Sequence, residues 1–321
     1  MGEFELIRHY FAAAPCARAG EGVALGIGDD CALLAVPPGE QLAISTDTLV
    51  AGVHFADPCE PFLLGQRSLA VAVSDLAAMG ATPIAFTLAL TLPTVTAEWL
   101  DAYARGLNRM AQACGVSLVG GDTTRGPLSL TLTVFGRVPA GQALTRSGAR
   151  AGDLLCVGGD LGRAAGALPL VLGQRTADAA IAEPLLAQYW SPQPQLALGQ
   201  ALRGRATAAL DISDGLLADC GHIAKASGVG LQIERERVPL SPALVAFLGL
   251  QGAQAAALSG GDDYILAFTL PVAELAPLQA QGWPVHVIGH VVAGQGVTLL
   301  DAAGHDITPA TRGYQHFRET P

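Results

Sequence analysis

Apolar positions recur along the chain in two rhythms, and the change of rhythm marks its elements. Glu3 to Ala13 reads as a short helix, and strands are expected near Cys31–Val36 and Gln41–Asp47 around a Pro37-Pro38-Gly39 turn. Leu, Ala and Val keep helical spacing from Pro61 to Met79, and the run stops at Gly80, a suitable residue just past a helix end. Ile84–Leu92 predicts a strand. A helix over 96–114 follows, with Thr96 as its cap and Glu98 in the first turn, where a negative charge suits the helix dipole. Val116–Val119 and Leu128–Val138 read as strands, the second alternating as Leu-Ser-Leu-Thr-Leu-Thr-Val.

Between Pro139 and Gly152 the pattern dissolves into Gly, Arg and Ser. We place a linker at 139–152, between an N-terminal domain over 1–138 and a C-terminal domain over 153–321. The second half restarts with strand Asp153–Val157, a Gly158-Gly159 turn and a helix from about Leu161. Strand Ala206–Leu210, helix Gly215–Ala226 and strands Ile265–Leu270 and Val285–Val292 follow. Each half mixes helices and strands, so the fold class is α+β.

Composition narrows the function. Half of the 321 residues are hydrophobic, which excludes wholesale disorder, and a net charge of −10 leaves no basic footprint for nucleic acid. Lys225 is the only lysine, and its His-Ile-Ala-Lys-Ala-Ser setting fits neither a Walker-A loop nor a protein-kinase strand lysine. Six scattered cysteines without a C-x-x-C pair suggest buried thiols in a reducing compartment. The uncharged run Leu76–Ala97 holds Gly80, Pro83 and Pro93 and reads as helix end, turn and strand; no membrane span is expected and a cytoplasmic location is.

The aspartates carry the chemistry. They fall at the ends of apolar runs or in glycine turns: Asp29-Asp30, Asp47, Asp75, Asp122, Asp211 with Asp214, and Asp262-Asp263. A carboxylate flanked by apolar residues pays for desolvation unless it is paired or holds a cation, and cationic side chains are few here. Each aspartate alone also reads as a cap or turn residue; the set points to several divalent ions. Hard oxygen donors such as those of Ser45-Thr46-Asp47 favour Mg²⁺. Gly120-Gly121-Asp122-Thr123-Thr124 and Gly158-Gly159-Asp160 read as turns whose backbone N–H groups face phosphate. Gly26-Ile-Gly28-Asp-Asp-Cys31 is not a dinucleotide fingerprint. Arg146 reads equally as a phosphate clamp or a solvated linker arginine. His54, seven residues past Asp47, reads as a phosphate donor or a structural histidine.

Five segments taken together closely resemble the thiamine-monophosphate kinase family, within the superfamily of aminoimidazole ribonucleotide synthetase. They are Gly-Asp29-Asp30, Ser45-Thr-Asp-Thr-Leu-Val-x-Gly-Val-His54-Phe, Ser74-Asp-Leu-Ala-Ala-Met-Gly-Ala-x-Pro83, Gly120-Gly-Asp-Thr and Asp211-Ile-Ser-Asp-Gly-Leu216. The likeness runs from Gly26 to Phe317. It implies an aminoimidazole ribonucleotide synthetase-like fold, with an N-terminal α/β domain closing a barrel across a homodimer and a C-terminal α+β domain. It implies Mg²⁺ ligation by Asp30, Ser45, Thr46, Asp47, Asp75, Asp122, Asp211 and Asp214, several ions per site, with Asp47, Asp122 and Asp214 catalytic. ATP would meet Tyr103, Gly121, Asp122, Arg146 and Ser213; thiamine monophosphate would meet His54, Asp262 and Tyr314. The implied reaction is in-line transfer of the γ-phosphate to thiamine monophosphate, the last step of thiamine diphosphate biosynthesis. One motif departs from the family: Gly-Gly-Glu-Asp-Tyr-Glu-Leu is here Gly-Gly-Asp262-Asp263-Tyr264-Ile265-Leu266, which shortens one carboxylate by a methylene and removes another. Two alternatives stand beside this reading: a sibling ATP-using enzyme of the superfamily, and a non-catalytic nucleotide or Mg²⁺ sensor.

Overall fold

The computed structural model describes residues 3–310 and 312–314; the Gln315–Phe317 end of the family likeness lies outside them. The chain forms two compact units. One comprises the residues up to Leu76, Ala81–Ala143 and Trp190–Leu196; the other comprises Ala77–Gly80, Leu144–Tyr189 and the residues from Ala197 onward. The sequence reading anticipates neither the short excursion at 77–80 nor the return at 190–196.

The first unit opens with helix α1 (Glu3–Leu6), which continues as a wider π-helical turn over Ile7–Ala12. Strands β1 (Val23–Leu25) and β2 (Leu33–Leu34) pair as a small antiparallel ribbon. The main sheet has the order β3-β6-β4-β5, built from β3 (Glu40–Val50), β4 (Thr82–Leu92), β5 (Ser117–Arg125) and β6 (Ser129–Pro139). Only β4 and β5 run parallel. The alternation read in β6 is reproduced in its burial, with Leu130, Leu132 and Val134 enclosed and the hydroxyl residues between them on the other face.

Helices α2 (Pro61–Ala78) and α3 (Ala97–Cys114) complete this unit. Helix α3 starts where the sequence places it: Thr96 accepts the Trp99 N–H through its side chain, and Gly115 ends the helix in the left-handed conformation. The two helices approach at Gly65 and Gly106. A Cβ on Gly65 would collide with the Tyr103 carbonyl oxygen, and one on Gly106 with that of Phe62. Backbone-to-backbone contact of this kind leaves no side chain that can yield.

The second unit is built on the sheet β12-β9-β11-β7-β10-β8. Its strands are β7 (Leu154–Val157), β8 (Ala208–Asp211), β9 (Gly230–Glu234), β10 (Leu266–Leu270), β11 (His286–Val292) and β12 (Gly296–Leu300), antiparallel except for β12 with β9. Helices α4 (Arg163–Val171), α5 (Ala179–Trp190), α6 (Leu196–Leu202), α7 (Leu216–Ser227), α8 (Pro242–Ser259) and α9 (Val272–Ala280) complete the element list. The core of the second unit gathers Leu155, Val157, Leu210, Ile212, Leu217, Ile223, Leu231 and Ile288. Helix α8 is long and apolar enough to cross a membrane by length and composition alone, but it breaks at Gly249 and buries Leu244, Phe247, Ala253 and Ala257. Leu76–Ala97 resolves into the expected helix end, turn and strand.

Asp263, fully enclosed, stands at the N-terminus of α4. One carboxylate oxygen accepts the Gly162 N–H at 2.7 Å, while Oδ1 has no hydrogen-bond partner among the described residues. Its carbonyl accepts from Gln188 at 2.7 Å. Burial pushes this carboxyl up to about 7, against the pull of the α4 amides and Arg163.

Two outcomes follow from this packing. Gly106→Ala should cost about 1–3 kcal/mol by overpacking the α2–α3 contact, read as a lowered urea midpoint at unchanged m. In the folded chain Asp263 keeps a proton that the unfolded chain releases above 3.8. Its contribution to stability therefore falls as pH rises from about 4 to about 7 and is level above that. Asp263→Asn should flatten this part of the Tm–pH curve; a slope identical to that of the parent would refute the protonated state.

Candidate active site

In the first unit the side chains of interest come from β3, α2, β5 and the loop after β1. Strand alternation puts Ser45 and Asp47 on the same face of β3, and register pairs Asp47 with the buried Leu132. Asp75, grouped in the sequence with strand ends and glycine turns, instead lies inside helix α2, where its Oδ2 accepts the Ser45 hydroxyl. Thr46 faces the other way, its hydroxyl 2.9 Å from that of Thr133; Thr48 and Thr131 repeat the pair at 2.9 Å.

The Gly120–Thr124 segment is not the turn that the sequence suggests. β5 continues through it to Arg125, paired with β4. Gly121, at φ 150°, lets the two backbones approach so closely that a Cβ would strike the Leu88 carbonyl. Gly121 therefore serves strand contact, and Asp122 follows on the edge strand of the sheet. Gly158-Gly159 does form the expected bend between β7 and α4.

A cavity of about 180 Å³ opens at this edge. Its walls include Phe11, Gly28, Asp29, Asp30, Gly121 and Asp122. It thus brings Asp30 and Asp122, 92 residues apart in the chain, to one space, and among the described residues no basic side chain lines it. The desolvation expected of these acids is uneven. Asp29, Asp30 and Asp122 are exposed, Asp47 and Asp75 half-buried, and Asp211 and Asp263 buried. Among the described residues no three His, Cys, Asp or Glu side chains converge to enclose a metal ion. The donors come as one or two carboxylates with a neighbouring hydroxyl. That suits Mg²⁺, which keeps several waters and takes phosphate oxygens to complete its shell.

His54 lies in the tight turn after β3. Its Nδ1 accepts the Val50 N–H at 2.9 Å, so the neutral ring carries its proton on Nε2, and its carbonyl accepts from the enclosed Arg67 at 3.3 Å. Tyr103 departs from expectation. Its side chain is fully enclosed, with the ring stacked on Trp99 and the hydroxyl 3.1 Å from that of Ser68. It offers no surface to a nucleotide, because it fills the space between α2 and α3.

In the second unit three segments converge. Asp211 ends β8, and Ser213 and Asp214 occupy the turn into α7. The Ser213 carbonyl accepts the Asp262 N–H at 2.9 Å, and that of Asp214 accepts the Tyr314 N–H at 3.0 Å. Asp211, Ser213, Asp214, Asp262 and Tyr314 are thereby brought together. Asp262 and Tyr264 both hold positive φ, 69° and 52°, and the Tyr264 hydroxyl donates to Asp262 Oδ1 at 3.0 Å. Two non-glycine residues in this region, separated only by Asp263, mark stored strain of the kind found at ligand sites. Tyr314 is 48% exposed. Arg146 is exposed on the segment leading into β7, its carbonyl held by the Ser227 hydroxyl at 3.2 Å.

The sequence reading missed Asp219. This buried carboxylate accepts the N–H groups of Ser213, Asp214 and Gly215. Burial raises it to about 6 against the pull of those amides. Its signal was present in the sequence: an acid in the first turn of a helix, five residues past an Asp-Gly turn.

Comparison with known proteins agrees with this architecture. The model of the AIR synthase related protein N-terminal domain matches residues 28–138, and that of the C-terminal domain matches 150–302. The thiamine-monophosphate kinase of Escherichia coli K12 is 45% identical over 98% of both chains. The crystal structure of thiamine-monophosphate kinase from Stenotrophomonas maltophilia K279a superposes with a TM-score of 0.82 at 44% identity, covering 87% of this chain and 91% of that one. A structure of AaThiL complexed with AMPPCP and TMP superposes with a TM-score of 0.80 at 30% identity, covering 88% and 89%. With both domains matched in order and the identity sustained across almost the whole length, the chain belongs to the thiamine-monophosphate kinase family of AIR synthase related proteins.

Proposed function

We propose that the protein transfers the γ-phosphate of ATP to thiamine monophosphate, making thiamine diphosphate as the last step of its biosynthesis. The observation that carries this reading is the cavity at β5. Asp30 and Asp122, from two motifs distant in the sequence, line one space in which no described residue is basic, so a divalent cation is what would offset carboxylate and phosphate charge there.

Mg²⁺ would be held by Asp30, Ser45, Asp47, Asp75, Asp122, Asp211 and Asp214, and Thr46 would contribute through its main chain, since its hydroxyl meets that of Thr133 on the opposite face. When bound, Mg²⁺ neutralises donor and acceptor phosphates and holds them in line. Asp47, Asp122 and Asp214 act closest to the transferred group. Gly121, Asp122, Arg146 and Ser213 contact ATP, and the Arg146 guanidinium, planar and always charged, suits a phosphate group. His54 donates from Nε2 to the acceptor phosphate, since its Nδ1 is already committed to Val50. Asp262 and Tyr314 contact thiamine monophosphate. The Asp262 carboxylate, one methylene shorter than the family's glutamate, is steadied by Tyr264. The acceptor is an ionised phosphate oxygen, so no general base is needed.

Residues 1–138 would supply the ATP- and Mg²⁺-binding and dimerisation domain, 139–152 the linker and 153–321 the C-terminal domain, apart from the exchanged stretches 77–80 and 190–196. Leu42 and Ile44, exposed on the edge strand β3, support a homodimer that covers this sheet. Six free cysteines support a cytoplasmic location.

An ADP-release assay with ATP and Mg²⁺ should give turnover and thiamine diphosphate, identified by mass, from thiamine monophosphate and not from thiamine. ATP binding without turnover would defeat the reading. Asp47→Asn should lower kcat by at least about 100-fold with Tm close to that of the parent; near-normal kcat would remove Asp47 from the metal set.

A further inference from the structure

We infer that Asp219 is a positioning residue for the reaction, holding the turn that carries Ser213 and Asp214 and, through it, the segments of Asp262 and Tyr314. The inference rests on the kinase reading for its link to turnover.

A single oxygen, Asp219 Oδ2, accepts three consecutive amides: Ser213 at 3.0 Å, Asp214 at 3.0 Å and Gly215 at 3.1 Å. Successive N–H groups converging in this way form a nest for an anion, and the chain fills that nest with its own carboxylate. Asp219 is 4% exposed, so it is out of reach of a solute and touches no reacting atom. With the amides drawn inward, the carbonyls of the same stretch serve the neighbouring segments. Ile212 accepts from Tyr264 at 2.8 Å, Ser213 from Asp262 at 2.9 Å and Asp214 from Tyr314 at 3.0 Å. Asp219 therefore stands one turn away from every residue proposed for ligand contact in these segments. Without the carboxylate, three consecutive donors, that of Gly215 buried, lose their acceptor and the turn reorganises to satisfy them, carrying the three carbonyls with it.

The test compares Asp219→Ala and Asp219→Asn with Ile223→Ala. Ile223 lies fully enclosed on the same helix and serves as a control for stability alone. Asp219→Ala should lose about 100-fold in kcat/KM, consistent with misplaced ligands. Asp219→Asn, which keeps an acceptor oxygen, should lose less. Both should raise the Mg²⁺ concentration needed for half-maximal rate. Ile223→Ala, assayed well below its own Tm, should keep parental values. Hydrogen exchange at the amides of 213–215 should quicken in Asp219→Asn, a reading that needs no activity and no alanine variant. Unchanged exchange there, parental kinetics in both Asp219 variants, or equal kinetic losses in Ile223→Ala would each overturn the inference. A parent that makes no thiamine diphosphate would defeat the kinase reading, while exchange still decides whether Asp219 holds the turn.

Discussion

The register between β3 and β6 governs the first unit. The two strands pair without interruption from Glu40 with Pro139 to Val50 with Ser129. Side chains alternate with a period of two, so this register decides that Ser45 and Asp47 share a face while Thr46 and Thr48 meet Thr133 and Thr131 on the other. A slip of one residue would turn Asp47 into the threonine face and separate Ser45 from Asp75 in α2. The alternation of leucine with threonine and serine along β6 guards against this, because the slip would also expose Leu130 and Leu132.

The second unit solves a different problem with the same residue type. Asp219 and Asp263 are buried, and each is turned toward backbone amides where a chain segment begins a helix. Acids that hold the frame are enclosed, whereas most of those proposed to meet ligands are exposed or half-buried. Burial, rather than mere proximity in sequence, separates Asp262 from Asp263: one shares a strained bracket with Tyr264, and the other ties that bracket to α4.

Much of this was legible in the sequence. The capped helix α3, the end of α2 near Gly80 and the alternation in β6 were readable because local chemistry and tertiary demand agree there. Gly120-Gly121 was not: glycine pairs signal turns, and only the partner strand reveals that the missing side chain of Gly121 admits a close backbone. Tyr103 was misread for a related reason, since likeness of sequence carries no record of burial. Asp219 escaped because its role depends on where three amides point, which residue spacing alone does not specify.

The return of the chain to the first unit at Trp190–Leu196 has its own consequence. Ser191 of this segment meets Gln66 in α2, 125 residues earlier. The two compact units are therefore not two consecutive lengths of polypeptide. A gene cut at the junction near Leu144 would strip the first unit of a piece encoded far downstream. Shuffling or fusion at that point would disturb both halves, so this architecture is inherited whole more readily than it is exchanged by parts.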